Sequence, residues 1–491
     1  MEKLNICFCS IWERTDSWIA IGVDLAKRGY GVYHVVTPKD YLDMAMANGV
    51  PRENILWLRI DEALQTPVKQ STVDRIADYE RKTGLRLKHF LLMDRFLRVR
   101  PWHEQFQYAC YAFEKLEEFY DKHNIRLISG EPSDTHDLIS LLIARATGRH
   151  YAGPFDMRFP GSRMILWDSE REDQPLIVGA KTPADVTEEE LEIARNLRQG
   201  VLERRRMDFS ENRAKAPAIG LSFIQRIARG ALYRALVRSK HDAHMYKLKD
   251  MFVHHKYHMI PINHRLNRLV WDKLFDKPVE GEKFVLYTLN YAPEHSLDVE
   301  APYFMNTIET VKNIARTLPS DVVLYVKEHP HALGIRGPKE LKEIKKIPGV
   351  KLIPPGIDSH ELLNRALMTV SLSGTVSMEA GLYGKKSVVI ADIFIKNFST
   401  VEHVVYPWQV GEILQKPLKE FDVEADVRYI AWLYSNSSNG STKDRISYPD
   451  AMLPENVSAC ADTYATAMDN ISSGLIQARP LVDGSTPWLK S

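Results

Sequence analysis

The stretch 322–392 contains four short apolar runs, and polar, turn-prone residues follow each of them. It reads VVLYVKEHP at 322–330, VKLIPP at 350–355 and TVSLSGTVSMEAGLYGKKSVVIAD at 369–392. Helical patterns separate the runs, and strands that alternate with helices indicate βαβ units and a parallel sheet. Ligands of such sheets bind outside the carboxyl ends of the strands. The sequence therefore predicts an α/β fold whose ligand site lies in the loops that follow these strands.

Three strand ends in this half of the chain carry side chains that suit a nucleotide. The strand FVLYT at 284–288 leads into NYAPEHS at 290–296, the next strand ends in KEHP, and a third leads into SGTVSMEA at 373–380. Hydroxyl groups and free backbone N–H groups at a helix start can cradle a phosphate. A histidine at a strand end can donate to a phosphate oxygen. The predicted phosphate ligands are His329, Lys327, Ser373, Gly374, Thr375 and Ser377, and the predicted ribose or sugar ligands are Glu294, Glu379 and Asn290.

Each of these assignments has a structural alternative. The hydroxyl residues at 373–377 could serve only to cap the following helix. Lys327 could be a strand residue that points to solvent, and His329 could be a structural histidine.

The N-terminal half opens as a second doubly wound domain. A strand at 4–9 is followed by a helix at 18–28, which Gly29 ends, and by a strand at 32–36. The first loop carries no Gly-rich dinucleotide fingerprint, so NAD binding is not expected. Asp16 in that loop either caps the helix or faces a cleft.

A second acidic loop follows the strand at 125–129 and reads GEPSDTHD at 130–137. One of Ser133, Asp134 and Thr135 is expected to cap the next helix. Capping does not explain Glu131, and a carboxylate at a strand end can act as general base or nucleophile. The candidate catalytic carboxylates are Glu131, Asp134 and Asp16.

Length and composition limit the classes of function. A chain of 491 residues exceeds one hydrophobic core, and a net charge of +1 gives no overall field that would recruit nucleic acid. Four scattered cysteines show no metal-binding spacing, and no apolar run is long enough to span a membrane. With no signal peptide recognised, the expected location is the cytoplasm, either free or peripheral on the inner face of the membrane.

The predicted organisation has four parts. An acceptor-side Rossmann-like domain covers 1–280, a donor domain 281–403, helices 404–475 and a tail 476–491. A helix is also predicted from Thr182 to Val201. The segment 204–249 is basic, and its amphipathic part at 219–237 either lies on an anionic membrane surface or is an ordinary surface helix.

With these loops defined, the second half resembles the capsule polysaccharide biosynthesis family. The resemblance covers about 284–392, and KEHP at 327–330 and SGTVSMEA at 373–380 carry it, supported by Pro293-Glu294. The family includes transferases of 3-deoxy-manno-octulosonate, and bacterial polysialyltransferases share its His-Pro and Ser/Thr motifs. The resemblance implies a GT-B fold, with two doubly wound domains facing a cleft. It also implies that His329, Ser373 and Thr375 hold the nucleotide phosphate, often of a CMP-sugar.

Two absent motifs are consistent with this fold. The chain has no Asp-x-Asp triad of the kind that holds a metal in GT-A transferases, and no Walker-type phosphate loop. We therefore expect a nucleotide-sugar co-substrate, a glycan or glycolipid acceptor, no cofactor and no metal.

Three functions remain open from the sequence. The leading one is a glycosyltransferase acting on a bacterial surface polysaccharide or glycolipid. The second is a nucleotide-sugar 2-epimerase, which shares the architecture and needs no acceptor. The third is a non-catalytic glycan- or lipid-binding subunit of an export assembly, suggested by the basic segment.

Overall fold

A computed structural model describes residues 3–10, 14–158, 160–205, 240–246, 260–332, 334–443, 445 and 448–482. The chain forms two compact units. Within the described residues, unit 1 comprises 3–186, 240–246 and 432–482, and unit 2 comprises 187–205 and 260–431.

The described strands are numbered in chain order. They are β1 (Asn5–Cys9), β2 (Gly31–Val36), β3 (Ile55–Trp57), β4 (Ile125–Ser129), β5 (His150–Asp156), β6 (Arg163–Trp167), β7 (Phe284–Thr288), β8 (Val323–Lys327), β9 (Val350–Ile353), β10 (Met368–Ser371), β11 (Ser387–Val389), β12 (Val401–His403) and β13 (Ser437–Asn439).

The described α-helices are numbered in the same way. They are α1 (Thr15–Lys27), α2 (Lys39–Ala47), α3 (Ile60–Ala63), α4 (Gln70–Thr83), α5 (Leu87–Met93), α6 (Trp102–Lys122), α7 (Thr135–Thr147), α8 (Glu188–Arg204), α9 (Ile260–Leu269), α10 (Trp271–Leu274), α11 (His295–Asp298), α12 (Thr307–Ala315), α13 (Pro338–Lys345), α14 (Ser359–Arg365), α15 (Thr375–Leu382), α16 (Val410–Gln415), α17 (Val423–Ser435) and α18 (Pro454–Ser472).

Unit 1 is built on a sheet with the described strand order β13-β6-β5-β4-β1-β2-β3. Strands β3, β2, β1, β4 and β5 are parallel, whereas β6 and β13 run antiparallel to their neighbours. The apolar residues of β1 and β4 are buried, as expected for central parallel strands covered on both faces. This arrangement places the residues that follow β1 and β4 next to each other.

Unit 2 is built on a sheet with the order β12-β11-β10-β7-β8-β9, in which every described pairing is parallel. The central strands are largely apolar and buried, and the rings of Phe284 and Tyr325 stack at 4.1 Å across β7 and β8. Two mainly parallel, Rossmann-like sheets with flanking helices confirm the predicted α/β fold class. The predicted cleft between the domains stays a prediction.

The boundaries of the compact units differ from the predicted boundary at 280/281. Helices α9 and α10 belong to unit 2, where Asn267 Nδ2 donates to the carbonyl of Arg336 (2.9 Å) and the backbone of Asp276 bonds to Leu352. Because these contacts tie the segment before β7 to the helices and strands of the second sheet, unit 2 begins before the predicted boundary.

The C-terminal helix α18 lies in unit 1 and packs on α1. Tyr464 is fully buried there, and its hydroxyl lies 2.7 Å from Ser129 Oγ at the end of β4. Burial of one tyrosine ring removes about 150–250 Å² from water, so this helix completes the core of unit 1.

The predicted start of α8 is wrong. The helix predicted from Thr182 begins at Glu188, because Thr187 forms a capping box with Glu190. Thr182 instead bonds to Asp185 in a preceding turn.

None of the helices among the described residues is long and apolar enough to cross a membrane. The basic amphipathic segment at 219–237 lies outside the described residues.

Candidate functional site

The three polar loops of unit 2 follow β10, β7 and β8, which are neighbours in the sheet. Asn290 comes two residues after β7, His329 two residues after β8 and Ser373 two residues after β10. Because parallel strands end at the same edge, these loops lie side by side. We call this group of loops the unit 2 edge.

Ser373 joins two of these loops. Its hydroxyl accepts a hydrogen bond from Asn290 Nδ2 (3.3 Å) and donates one to the carbonyl of Ser296 (2.8 Å). Ser373 is almost completely buried, so its present function is to order the loops that follow β7 and β10. To donate a hydrogen bond to a phosphate, the Ser373 hydroxyl would first have to break its hydrogen bond to the carbonyl of Ser296.

Helix α15 begins at this edge without a side-chain cap. Its N-cap is Gly374, which has no side chain to cap the helix, and no side chain of a described residue is seen to accept from the first backbone N–H groups. Gly374 and the first helical residue, Thr375, are both half-buried. A helix start with free N–H groups and the positive end of the helix dipole favours an anion.

Ser377 and Glu379 do not join this group. Ser377 is fully buried, lies 2.7 Å from Ser371 Oγ and donates to the carbonyl of Val388 (2.8 Å). It therefore packs α15 against the sheet. Glu379 lies 2.8 Å from His360 of α14, so its carboxylate serves a contact between two helices.

His329 lies at the edge with its ring half-buried. Its backbone N–H donates to Glu328 Oε1 (2.7 Å), and its ring stands edge-on to Tyr291 with 5.9 Å between the ring centres. Lys327 is different, because its side chain is buried and donates to the carbonyl of Pro355 (3.3 Å). The side chain of Lys327 therefore does not point to solvent.

Arg336 is a residue of this edge that the sequence analysis missed. It is 2% exposed, and its guanidinium donates to Glu328 Oε1 (2.6 Å) and to the carbonyl of Asn290 (2.6 Å). Burial raises the pKa of Glu328, and the charge of Arg336 opposes that shift. Arg336 therefore holds the loops after β7 and β8 together. A glutamate at the end of a buried strand requires a nearby cation. In the sequence, Glu328 was therefore the signal that a buried partner such as Arg336 must exist.

Glu294 remains accessible at the same edge. It is exposed at the start of α11, and its carboxylate accepts a hydrogen bond from Ser296 Oγ (2.8 Å). Ser296 also contacts Ser373 through its carbonyl. Glu294 is thus linked to the loop that precedes α15.

In unit 1, Glu131 lies at the carboxyl edge of the sheet, two residues after β4. Its carboxylate is 2.8 Å from Arg14, which stands at the start of α1 after the neighbouring strand β1. Both side chains are partly accessible, with 16% and 26% of their surface exposed. The ion pair with Arg14 therefore holds the Glu131 carboxylate in a fixed position at the strand end.

Gly130, which precedes Glu131, leaves room for a buried carboxylate. A Cβ atom at this position would lie 2.3 Å from Asp137 Oδ2. Asp137 is fully buried and accepts a hydrogen bond from the Tyr151 hydroxyl (2.8 Å), so it has little freedom to move. The Gly in the Gly-Glu loop is therefore required by packing.

We expect Gly130→Ala to reduce the free energy of unfolding by about 1–3 kcal/mol, as overpacking of a buried site does. Urea unfolding followed by circular dichroism measures this change. Gly356→Ala is the matched control, because a Cβ atom added there would have nothing within 4 Å. Equal stability of the two variants would contradict the packing argument.

Asp16 is not the cap of α1. The helix begins at Thr15, the N-cap is Arg14, and Asp16 lies in the first turn. Its buried carboxylate forms an ion pair with Arg445. The structure therefore gives Asp16 a pairing role within unit 1.

Asp134 occupies the N-cap position of α7, but its side chain does not cap the helix. Asp94, from the loop after α5, accepts from the backbone N–H (2.9 Å) and the hydroxyl (2.8 Å) of Thr135 in its place. The carboxylate of Asp134 therefore does not cap α7, and this residue is 4% exposed.

His244 lies in a buried group of carboxylates that the sequence did not reveal. Its Nε2 is 3.2 Å from Asp94, and its Nδ1 is 3.6 Å from Asp242 and 3.9 Å from Asp134. Burial opposes its charge, but the carboxylates of Asp134 and Asp94 outweigh burial and raise the pKa of His244 well above its usual value. Burial raises the pKa of Asp134 to about 7.

One group of side chains has the composition of a metal site. Asp134, His136 and His244 each bring one potential ligand atom within 4.8 Å of the other two. All three residues are buried.

Comparisons with known proteins return structures only. No family model and no curated sequence matches the chain. A β-Kdo 2,4-transferase domain of KpsC from Thermosulfurimonas dismutans is 12% identical, with 70% of this chain and 88% of that chain covered and a TM-score of 0.36. The β-Kdo 2,7-transferase of the same protein is 13% identical, with 73% and 89% covered and a TM-score of 0.32.

A UDP complex of MnaA from S. aureus is also similar, at 13% identity, with 97% of this chain and 96% of that chain covered and a TM-score of 0.25. The two Rossmann-like sheets are evident from the chain's own structure, and the function proposed below rests on its geometry rather than on these similarities.

Proposed function

We propose that this chain is a GT-B glycosyltransferase that takes a sugar from a nucleotide donor, with the phosphate of the donor bound at the unit 2 edge. One observation carries the proposal. The uncapped start of α15, the Asn290–Ser373 pair and His329 all follow neighbouring strands of one parallel sheet. This is the place where α/β sheets bind nucleotides.

The chemistry of this edge suits a leaving phosphate. The N–H groups of α15 and the amide of Asn290 provide neutral donors, and His329 adds a group that donates in either protonation state. Preorganised donors of this kind stabilise charge as it develops on a leaving group. Arg336 acts behind them, because its two hydrogen bonds hold the loops in position.

The carboxylate that serves the acceptor is proposed to be Glu131. It is partly accessible and positioned by Arg14, whereas Asp16 and Asp134 are buried. A general base or nucleophile has to reach the reacting atoms, so accessibility favours Glu131. The proposed acceptor is a bacterial surface polysaccharide or glycolipid.

A nucleotide screen tests the proposal. We expect one of CMP, UDP or GDP to raise the melting temperature, because a ligand that binds only the folded state stabilises it by about 2.7 kcal/mol at a concentration of about 100 Kd. Asn290→Ala should weaken the shift, and Asn196→Ala, at an exposed position of α8, should not.

The same screen separates the alternatives. Transfer of the sugar from the corresponding nucleotide-sugar to an added glycan would support the proposal, the nucleotide being the one that raises the melting temperature. Conversion of a UDP-sugar without acceptor would replace it with an epimerase, and the absence of any nucleotide-dependent shift would remove the donor site.

A further inference from the structure

The buried group in unit 1 contains two imidazole rings side by side. His136, in the first turn of α7, and His244 lie with their ring centres 4.8 Å apart. Both are less than 4% exposed, and Asp134 beside them is 4% exposed. Three side chains that can bind a metal therefore meet away from solvent.

Each imidazole has one nitrogen next to an acceptor. His136 Nε2 is 3.1 Å from the carbonyl of Ser10, and His244 Nε2 is 3.2 Å from the carboxylate of Asp94. Acceptors of this kind favour a proton on Nε2, so Nδ1 is the nitrogen of each ring that can bind a metal. Histidines that bind metals almost always have this outer contact to a carbonyl or carboxylate.

The second nitrogens are not satisfied by hydrogen bonds. His136 Nδ1 is buried without a hydrogen-bond partner. His244 Nδ1 is 3.9 Å from Asp134 and 3.6 Å from Asp242, which is longer than a hydrogen bond. A buried ring nitrogen without a hydrogen-bond partner is costly, and a bound cation would satisfy it.

The charges of the group also favour a cation. Asp94, Asp134 and Asp242 are buried carboxylates, and among the described residues His244 is the buried positive partner, with Arg95 acting on Asp134 from a half-buried position. A divalent ion bound at the Nδ1 atoms of the two rings would place positive charge beside these buried carboxylates.

We propose that Asp134, His136 and His244 bind a divalent transition-metal ion, with Zn²⁺ as the best fit to two imidazoles and one carboxylate. Tetrahedral zinc with ligands at about 2.0–2.1 Å separates its ligand atoms by about 3.4 Å. The ligand atoms here lie within 4.8 Å, so side-chain movements of about 1 Å would close the site. Asp94 and the Ser10 carbonyl are the outer contacts that orient the two rings.

Metal analysis of the purified full chain tests this site. After dialysis against Zn²⁺ and then against metal-free buffer, we expect about one zinc per chain by plasma mass spectrometry. Co²⁺ should give the visible absorption of a tetrahedral site, and Zn²⁺ should remove it. His136→Ala should weaken zinc binding by at least about 100-fold, since loss of an outer contact alone costs 10–100-fold.

His150→Ala is the matched control, because His150 is also buried but lies at the opposite, amino-terminal end of β5. It should keep the metal content of the wild type. The side chain of His136 forms one hydrogen bond among the described residues, to the carbonyl of Ser10, so the His136→Ala variant should retain its circular dichroism spectrum. Zinc content indistinguishable from zero in the wild type, or equal content in the two variants, would overturn the proposal.

Discussion

His329→Ala is expected to lower turnover of the nucleotide-sugar donor by about 10²–10³-fold, the usual effect of removing one preorganised donor to a developing negative charge. His329 follows β8 directly after Glu328, and its backbone is fixed by the bond to that carboxylate (2.7 Å). The ring is half-buried at the edge where α15 begins. Its removal leaves the surrounding hydrogen bonds of Ser373 and Arg336 in place.

Release of free nucleotide from the donor found in the thermal screen measures this effect. His329→Gln keeps an N–H donor and should recover part of the activity. If His329 had only a structural role, this recovery would not be expected. His403→Ala, in edge strand β12 of the same sheet, should leave turnover unchanged. A fall in melting temperature that accounts for the lost activity of His329→Ala would refute the assignment.

Most strands of the fold are predictable, because short apolar runs with polar ends leave few alternatives. The predicted limits of β4 and β7 agree with the structure residue for residue. The loops after β7, β8 and β10 could also be grouped, since parallel strands share one edge. The order β10-β7-β8, which makes Asn290 and Ser373 neighbours, follows from pairing between distant segments and needed the structure.

The residues that sequence reasoning missed are buried charges with distant partners. Arg336 donates to the carbonyl of Asn290, which precedes it by 46 residues. His244, which lies close to Asp134, belongs to the segment 204–249, which the sequence identifies only as basic. Local patterns report which face of an element is apolar, but they do not report which buried charge pairs with which. For the same reason, Ser377 and Glu379 matched a motif and yet serve packing.

Asp94→Ala is expected to lower the free energy of unfolding of unit 1 by about 3–5 kcal/mol, the typical cost of breaking a buried ion pair. Asp94 is fully buried and accepts four hydrogen bonds of 2.8–2.9 Å, two from the backbone of its own loop and two from Thr135. Alanine would leave these donors unpaired, remove the cap of α7 and leave His244 without its Nε2 partner. Total stabilities are about 5–15 kcal/mol, so this variant should lose a large fraction of its stability, which its urea midpoint would show.

The pH dependence distinguishes this charge from simple packing. Burial would raise the pKa of Asp94, but His244 and the bonds from Leu97 and Thr135 outweigh burial and hold it far below its usual range. A depressed pKa means that the carboxylate stabilises the fold above the unfolded pKa of about 3.9 and loses that contribution as the pH falls. The difference in urea midpoint between wild type and Asp94→Asn, which keeps the shape and removes the charge, should therefore shrink below about pH 4. Asp43→Ala is the control, because it breaks an exposed ion pair with Lys39 and should change the urea midpoint little at any pH. If the midpoint difference between wild type and Asp94→Asn did not change with pH, the charge of Asp94 would not be what stabilises unit 1.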